Sequence, residues 1–299
     1  MRKGILYGIG AYALWGLFPI YWKLLHDLPA LQVIGHRIAW SFIFLMAAIL
    51  ISRQGQAWRA AIQRPRILLI YLAAGVLVGV NWLIYVWAVN ADYIVETSLG
   101  YFINPLLSVL LGVIFLRERL RPAQWLPVAL AAVGVLYLSI SYGKPPWIAL
   151  SLAFTFATYG LVKKAAPLNS LFGLTLETGL LFVPAVAYLI FLESRGQGAF
   201  LHSDPRIDLL LAGAGIVTTI PLLLFASAAR RIPLTLVGLL QYIAPTIQFL
   251  LGTLVYKEPF SHNQLIGFGI VWIALIIFWA ENYLVKRVPV PPLPELGEG

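Results

Sequence analysis

The amino-acid sequence predicts an all-α integral membrane protein, with ten transmembrane helices arranged as two inverted five-helix repeats around a central cavity. Three observations support this fold class. Of the 299 residues, 61% are hydrophobic and 11% are charged, whereas soluble domains carry about 25% charged residues. Ten apolar segments are long enough to cross a bilayer, which takes about 20 helical residues. The second half of the chain also repeats the first half at a constant offset.

The ten predicted spans follow one another with short connectors between them. They cover residues 4–23, 31–52, 67–89, 93–116, 123–142, 146–162, 170–192, 208–229, 232–256 and 263–285. The first begins at a basic N-terminus, but no small-residue cleavage site follows a short apolar core. We therefore interpret it as a retained span and not as a signal peptide. The proline-rich residues 287–299 are expected to form a disordered cytoplasmic tail.

The distribution of basic residues tests the number and direction of these spans. With the N-terminus in the cytoplasm, fifteen lysines and arginines fall on the inner side, five fall on the outer side, and Arg37 lies within a span. Cytoplasmic connectors of membrane proteins carry an excess of lysine and arginine. The bias therefore predicts ten spans with the N- and C-termini both cytoplasmic.

Composition and motifs exclude several classes of function. The net charge is +9, but the basic residues lie in short connectors, so no nucleic-acid partner is expected. The chain has no cysteine, and its histidines do not form a metal motif, so no metal or cofactor is expected. It lacks G-x-x-x-x-G-K-[ST], H-E-x-x-H and G-x-S-x-G, which argues against direct use of ATP and against an enzyme.

The internal repeat has a constant shift of 140 residues. It matches the stretch that starts at Ser98 with the stretch that starts at Gly238, and it extends back to Gly75 over Gly215. The identical pairs include Leu99 with Leu239, Ile103 with Ile243, Pro105 with Pro245, Glu118 with Glu258 and Gln124 with Gln264. Each repeat holds five spans, and an odd number inverts the second copy. The predicted units are residues 1–142 and 143–286, an arrangement typical of secondary transporters.

Several motifs resemble a known family over nearly the whole chain. The stretch "SLGYFINPLLSVLLGVIFLRERL" resembles the EamA-type branch of the drug/metabolite transporter superfamily. "ALWGLFPIYWK", "GHRIAWS", "NWLIYVWAVN" and "LETGLL" are similar to the RarD group of permeases within it. That group carries a chloramphenicol-sensitivity label, which does not establish a substrate. The resemblance implies a ten-helix exporter of small organic molecules in the bacterial inner membrane.

Two prolines at equivalent positions of the repeats mark the candidate site. Pro105 and Pro245 each remove a backbone donor, which is expected to break the helix and to free the carbonyl groups of Tyr101 and Gln241. A freed carbonyl in lipid is costly, so each should face a polar cavity or another helix. Interrupted helices in corresponding positions of inverted halves point to a central binding site.

Polar side chains on three spans are expected to face the same cavity. Spacings of three and four residues place them on one face of each helix. The predicted lining residues are Asn81, Trp82 and Tyr85 in span three, Tyr101 and Asn104 in span four, and Gln241, Tyr242 and Gln248 in span nine. Aromatic and amide groups suit a flat or amphipathic organic solute better than a bare ion. For each residue alone, a purely structural role stays open.

His36 and Arg37 stand side by side inside span two, where a charge costs about 2.5–3.5 kcal/mol and normally has a partner. The shift of 140 places Arg37 over Glu177, but depth in the membrane favours Glu96 as its partner. Glu177 would then stand alone or pair with Lys163.

Three roles stay open for these charged groups: a structural ion pair, anchoring of a substrate carboxylate by Arg37, and proton coupling through Glu96, Glu177 or His36. Against coupling, a histidine beside an arginine resists a second positive charge. We expect His36 to donate a hydrogen bond, with Trp40 one turn further on.

The sequence therefore predicts a secondary transporter that exports small organic molecules, such as metabolites, amino-acid-like solutes or drugs, by alternating access. The alternative is a membrane-embedded lipid-handling protein, either a scramblase or a lipid-modifying enzyme. The expected partners are a small-molecule solute and membrane lipid. Substrate identity, a coupled proton, the direction of net transport and the oligomeric state are left open.

Overall fold

The structure is a computed structural model that describes residues 2–91, 93–141, 146–202, 204–256 and 261–285. All regular secondary structure in these ranges is helical. The helices are α1 (Arg2–Lys23), α2 (Ala30–Ile51), α3 (Gly55–Ile62), α4 (Pro65–Asn90), α5 (Ile94–Leu116), α6 (Pro122–Ser141), α7 (Trp147–Ala165), α8 (Ser170–Ser194), α9 (Pro205–Ala229), α10 (Leu234–Leu240), α11 (Ile243–Leu250) and α12 (His262–Val285). The predicted tail, residues 287–299, lies outside the described residues.

The helices follow the ten predicted spans closely. Among the described residues, α1, α2, α4, α5, α6, α8 and α9 contain seven segments that are long and apolar enough to cross a membrane. Shorter apolar stretches cover Leu234–Gln248 and Leu265–Glu281. An all-helical membrane protein is therefore confirmed, and the number of ten crossings stays a prediction. The sequence did not predict α3, a short helix in the connector after α2.

The predicted ninth span is a broken helix. It consists of α10, a turn at Gln241 and Tyr242, α11, and a π-helical turn over Leu251–Val255. Pro245 lacks a backbone N–H, and the carbonyl of Gln241 instead accepts a hydrogen bond from the N–H of Ala244 at 3.2 Å. The turn itself therefore satisfies the carbonyl that we expected to face a polar cavity or another helix.

The predicted break at Pro105 is wrong, because α5 runs through this residue without interruption. Within a membrane helix, neighbouring helices and small local adjustments can satisfy the backbone groups that a proline frees. Equivalent prolines therefore have different effects on the two repeats.

Three pairs of helices that the 140-residue shift equates are in contact, and the pair α6 and α12 is antiparallel. In the pair α6 and α12, Arg121 at the start of α6 forms an ion pair of 2.8 Å with Glu281 near the end of α12. Further along α6, Tyr137 donates a hydrogen bond of 2.9 Å to Asn263 at the start of α12. The pairs α2 with α8 and α5 with α10 are likewise in contact. Equivalent helices that run in opposite directions are the feature expected of an inverted repeat.

The centre of the α5–α10 contact joins two residues that are themselves equivalent. The hydroxyl of Tyr242 donates to the carbonyl of Phe102 at 3.2 Å, and the two rings lie 6.4 Å apart between centroids. Tyr242 is 1% exposed and belongs to the apolar core between the halves. Its predicted place in the cavity wall is therefore wrong, because the turn before α11 directs it toward α5.

Gly238 permits the close approach of α10 to α5. A Cβ atom at Gly238 would lie 2.7 Å from the carbonyl oxygen of Pro105 and 2.9 Å from the Cβ of Ser108.

We expect Gly238→Ala to lower the free energy of unfolding by about 1–3 kcal/mol, because the two backbones must separate. Gly269→Ala in α12 is the matched control, since a Cβ there meets nothing within 4 Å. Chemical unfolding in detergent measures both, and an unchanged Gly238→Ala protein would contradict the expectation.

Candidate functional site

A cavity of about 500 Å³ lies between helices of both repeats. Aromatic rings of α1, α4, α5 and α7 form part of its wall. The lining residues are Tyr12, Trp15, Phe18, Pro19, Trp22, Lys23, His26, Arg37, Asn81, Trp82, Tyr85, Thr97, Gly100, Tyr101, Asn104, Leu152, Phe156, Thr218, Leu222, Gln241, Ala244, Pro245 and Gln248. The cavity reaches His26, whose side chain is 72% exposed, and we call this the open end.

The three helix faces identified from the sequence converge on this cavity. The predicted residues that line it are Arg37, Asn81, Trp82, Tyr85, Tyr101, Asn104, Gln241, Pro245 and Gln248. The predicted residues that do not line it are His36, Trp40, Pro105, Glu177 and Tyr242. The side chain of Glu96 lies outside the described residues.

Arg37 projects from α2 into the cavity wall between two indoles. Its guanidinium carbon lies 4.5 Å from the ring centroid of Trp22 and 4.8 Å from that of Trp82. Its Nε donates a hydrogen bond of 3.0 Å to the hydroxyl of Thr218 on α9. Two cation–π contacts and one hydrogen bond hold the group in place without neutralising it. Within the described part of the chain, no carboxylate forms an ion pair with Arg37.

Glu177 has a different environment, although it is the equivalent of Arg37. Its carboxylate accepts a hydrogen bond of 2.6 Å from Lys163 and one of 3.1 Å from Tyr159. The side chains of Lys163 and Glu177 are 3% and 1% exposed. Of the arrangements left open for Glu177, the structure contains the pair with Lys163. The buried charge is therefore satisfied inside the protein and does not face the cavity.

His36 and Trp40 lie on a face of α2 that turns away from the cavity. The His36 ring packs against Phe200 with centroids 5.3 Å apart, and Trp40 contacts the same ring at 5.8 Å. Phe200 belongs to the connector between α8 and α9. The expected role of His36 as a hydrogen-bond donor within the site is replaced by ring packing against this connector.

Two amides of the cavity wall are used within the protein. Asn81 donates hydrogen bonds of 2.8 Å to the carbonyl of Leu152 and of 2.9 Å to the hydroxyl of Thr155, both on α7. Gln248 donates at 3.1 Å to the carbonyl of Trp15. These amides connect helices, so the structural role that the sequence left open applies to them.

Two other amides of the wall keep a buried oxygen without a partner. The Oδ1 of Asn104 and the Oε1 of Gln241 are buried and accept no hydrogen bond from the described residues, and the same holds for the hydroxyl of Tyr12. These residues are 4%, 8% and 1% exposed. A buried polar atom without a partner costs about 1–3 kcal/mol, so its retention beside a cavity favours a ligand that supplies the partner.

These two kinds of amide lead to opposite expectations for stability. We expect Asn104→Leu to leave the midpoint of thermal unfolding unchanged or raised, because it removes an unsatisfied oxygen. Asn81→Leu, the matched control, should lower the free energy of unfolding by about 1–3 kcal/mol, because it leaves carbonyl and hydroxyl partners on α7 unpaired. Thermal and chemical unfolding of the purified variants measure both effects. An Asn104→Leu protein that loses as much stability as Asn81→Leu would contradict the assignment.

The sequence did not predict that α1 and α7 contribute to the cavity wall. From α1, the cavity is lined by Tyr12, Trp15, Pro19 and Trp22, and from α7 by Leu152 and Phe156. These residues carry no charge or amide, so nothing separated them from ordinary apolar core. Their spacing of three, four and three along α1 was the available signal, because it places three large aromatic side chains and a proline on one helix face.

The end of the cavity opposite His26 is closed by stacked rings. Trp15 and Phe156 line the cavity and contact each other with centroids 5.9 Å apart. Phe225 packs behind both, 5.7 Å from Trp15 and 5.5 Å from Phe156. The ring of Tyr159 stacks on Phe225 at 5.9 Å. The floor of the cavity is therefore a layer of aromatic side chains.

Glu118 of the first repeat and Lys164 of the second repeat both bind the segment at the start of α10. Glu118 accepts hydrogen bonds from the backbone N–H groups of Leu234 at 2.6 Å and Thr235 at 2.9 Å, at the start of α10. Lys164 donates to the carbonyl of Ile232 at 2.6 Å. A carboxylate at a helix N-terminus accepts hydrogen bonds from free backbone N–H groups and interacts favourably with the helix dipole. Glu118 thus has a structural role at the end of a span.

Comparisons with known proteins give one family. The profile of the EamA-like transporter family matches the chain twice, over residues 2–140 and 145–280. The chain is 48% identical to Protein RarD of Streptomyces exfoliatus, over 96% of this chain and 91% of that protein. It is 47% identical to the uncharacterized transporter YojE of Bacillus subtilis, over 96% of each chain. A chain of known crystal structure shares its fold with a TM-score of 0.70, at 20% identity, over 95% of this chain and 99% of that one.

Proposed function

Because the chain belongs to the EamA-like transporter family and its RarD group, and is therefore a membrane transporter, we propose that the cavity is the solute site of a secondary transporter. In this proposal, residues 1–142 and 143–286 form two inverted units that enclose the cavity and rock between states open to opposite sides. The positive-inside bias supports cytoplasmic termini in a bacterial inner membrane.

The observation that carries the proposal is the construction of the cavity from both units. Helices α1, α2, α4 and α5 supply one part of the lining, and α7, α9, the turn at Gln241 and α11 supply the other. A site between two similar units changes its exposure when one unit moves relative to the other. The open end at His26 and the ring layer at the opposite end fit one of two such states.

The lining supports a small organic solute with an anionic group. Arg37 presents a cation that no described carboxylate neutralises, and the rings of Trp15, Phe18 and Phe156 provide flat apolar walls. The unpartnered oxygens of Asn104 and Gln241 would accept hydrogen bonds from donors on the solute. Metabolites, amino-acid-like compounds and drugs with a carboxylate all have this chemistry. We propose export as the physiological direction, in line with the family resemblance.

The contacts of the charged groups argue against a coupling proton on Glu177. Its carboxylate is neutralised by Lys163 and bound by Tyr159, so binding a proton would leave a buried lysine without its partner. A structural ion pair is the role that these contacts favour. Arg37 remains the group available to a solute.

Transport by the purified protein in sealed proteoliposomes tests the proposal. The probes are labelled amino acids, aromatic carboxylates, dicarboxylates and chloramphenicol, each applied with and without a pH step. We expect saturable uptake of at least one carboxylate, absent from protein-free vesicles. The same vesicles carry a fluorescent phosphatidylcholine to measure lipid flipping. Rapid flipping without uptake of any probe would contradict the proposal and favour the lipid-handling alternative.

A further inference from the structure

Equivalent residues of the two repeats lie in opposite environments. Two sets of four residues correspond under the 140-residue shift, and we call them the open set and the closed set. The open set is Pro19, Lys23, Arg37 and Tyr85, and the closed set is Tyr159, Lys163, Glu177 and Phe225. Every member of the open set lines the cavity. Every member of the closed set is buried, with exposed fractions between 0% and 3%.

The members of the closed set hold one another in place. Glu177 accepts hydrogen bonds from Lys163 and Tyr159, and the Tyr159 ring stacks on Phe225 with an interplanar angle of 14°. The Nζ of Lys163 also lies 5.5 Å from the ring centroid of Tyr71. An ion pair and stacked rings therefore occupy the space that corresponds, in the first repeat, to part of the cavity.

The closed set lies directly behind the cavity floor. The ring of Phe156, which lines the cavity, is 5.8 Å from that of Tyr159 between centroids. The hydroxyl of Tyr159 reaches Glu177 at 3.1 Å. A layer of rings, which includes Phe156 and the closed-set residue Tyr159, therefore separates the cavity from the Lys163–Glu177 pair. If the two repeats exchange their conformations, as inverted repeats do, this layer opens and the closed set becomes the cavity wall.

The exchange changes the charge that a solute meets. In the state described here, the two basic members of the open set, Lys23 and Arg37, line the cavity. Lys23 is placed over the Tyr256 ring, with its Nζ 3.4 Å from the centroid. The position equivalent to Arg37 holds Glu177, which forms an ion pair with Lys163, so the Lys163–Glu177 pair carries no net charge where the first repeat has a cation.

We propose that the closed set forms the solute site of the oppositely open state, and that this second site lacks the attraction for anions shown by the first. The inference rests on the transporter function proposed above. An organic anion would bind more strongly while the cavity is open at His26 than while it is open on the other side, and the solute gradients, not this difference in affinity, set the direction of net transport. A ligand shifts a two-state equilibrium only if its affinities for the two states differ. The presence of Glu177 at the position equivalent to Arg37 would supply that difference.

Cysteine chemistry tests the inference without knowledge of the solute. The chain has no cysteine, so Tyr85→Cys and Phe225→Cys each introduce a unique thiol at equivalent positions. Each is treated with an anionic sulfonatoethyl methanethiosulfonate and a cationic trimethylammonioethyl methanethiosulfonate. At Tyr85→Cys we expect the anionic reagent to be favoured by about tenfold, relative to its rate ratio on a free thiol, because a field of one sign concentrates counter-ions. At Phe225→Cys we expect slower labelling without this preference.

Two control variants separate the effect of charge on the labelling rate from the effect of accessibility. Arg37→Gln in the Tyr85→Cys protein should abolish the preference for the anionic reagent. Lys163→Met/Glu177→Gln in the Phe225→Cys protein removes the ion pair without leaving a buried charge, and it should speed labelling at position 225 several-fold. If Phe225→Cys does not fold, Val162→Cys replaces it, since Val162 is the equivalent of the cavity residue Trp22.

The possible outcomes distinguish this inference from the proposed function. Labelling at Phe225→Cys with the same anionic preference as at Tyr85→Cys would overturn the change of charge and leave transport intact. A Phe225 or Val162 position that stays unreactive in both backgrounds, in a protein that takes up solute, would show that the closed set never lines the path. If the protein takes up no solute, and the introduced cysteines are labelled at the same rates in both backgrounds, the transporter mechanism itself would be contradicted.

Discussion

Replacing Arg37 by glutamine is expected to abolish measurable solute uptake while the protein remains folded. Arg37 is the cation of the cavity wall that no described carboxylate neutralises, and it is oriented by Thr218 and two indoles. A charge-assisted hydrogen bond contributes about 1.5–3 kcal/mol, which corresponds to about 10- to 150-fold in affinity. Uptake at a low concentration of the carboxylate found by the vesicle screen, together with thermal unfolding, measures the effect.

Arg37→Lys is the matched control for charge. Lysine keeps the positive charge but loses the planar group that stacks between Trp22 and Trp82. We expect it to retain part of the uptake that the glutamine variant loses. Normal uptake by the Arg37→Gln protein would show that the residue only packs α2 against its neighbours, and the proposed anion site would then be wrong.

Replacing either partner of the Lys163–Glu177 pair is expected to cause the largest loss of stability among the variants considered. Removing one member leaves the other charged and buried, which costs about 3–5 kcal/mol. Lys163→Met/Glu177→Gln should recover most of this loss, because neither remaining group carries a charge. Chemical unfolding of the three purified variants gives a double-mutant cycle with a coupling energy of several kcal/mol.

The first repeat provides the comparison for this result. Arg37 occupies the position equivalent to Glu177, but no described carboxylate depends on it. Its removal should therefore cost much less stability than the removal of Glu177. Equal losses at Arg37→Gln and Glu177→Gln would mean that Arg37 also has a structural charge partner, and the contrast between the two repeats would not hold.

Individual residues show how far the sequence predicted the site. Asn81, Tyr101, Asn104 and Gln241 were identified because polar groups recur on one helix face within apolar spans, and all four line the cavity. Tyr242 and Trp40 looked equally suitable but lie elsewhere. Helical periodicity gives the relative direction of side chains on one helix, but it does not determine which neighbouring helix each face meets.

Two amides of the cavity wall show that the sequence also does not determine which polar groups have a hydrogen-bond partner. Asn81 and Asn104 look alike in the sequence, yet Asn81 donates two hydrogen bonds to α7, whereas the oxygen of Asn104 has no partner among the described residues. Whether a polar group holds helices together or awaits a ligand depends on atoms brought close by packing. No spacing along one helix contains that information.

The sequence by itself determined that the chain is an all-helical membrane protein with an internal repeat, because hydrophobicity and repetition are properties of the order of residues. Only the tertiary structure decided which charges are neutralised. It placed Glu177 against Lys163 in the buried interior and left Arg37 beside a cavity, although the shift of 140 makes the positions of Arg37 and Glu177 equivalent. The physical reason is that a charge in a membrane is stabilised by groups within a few ångströms, and the contacts between helices choose those groups.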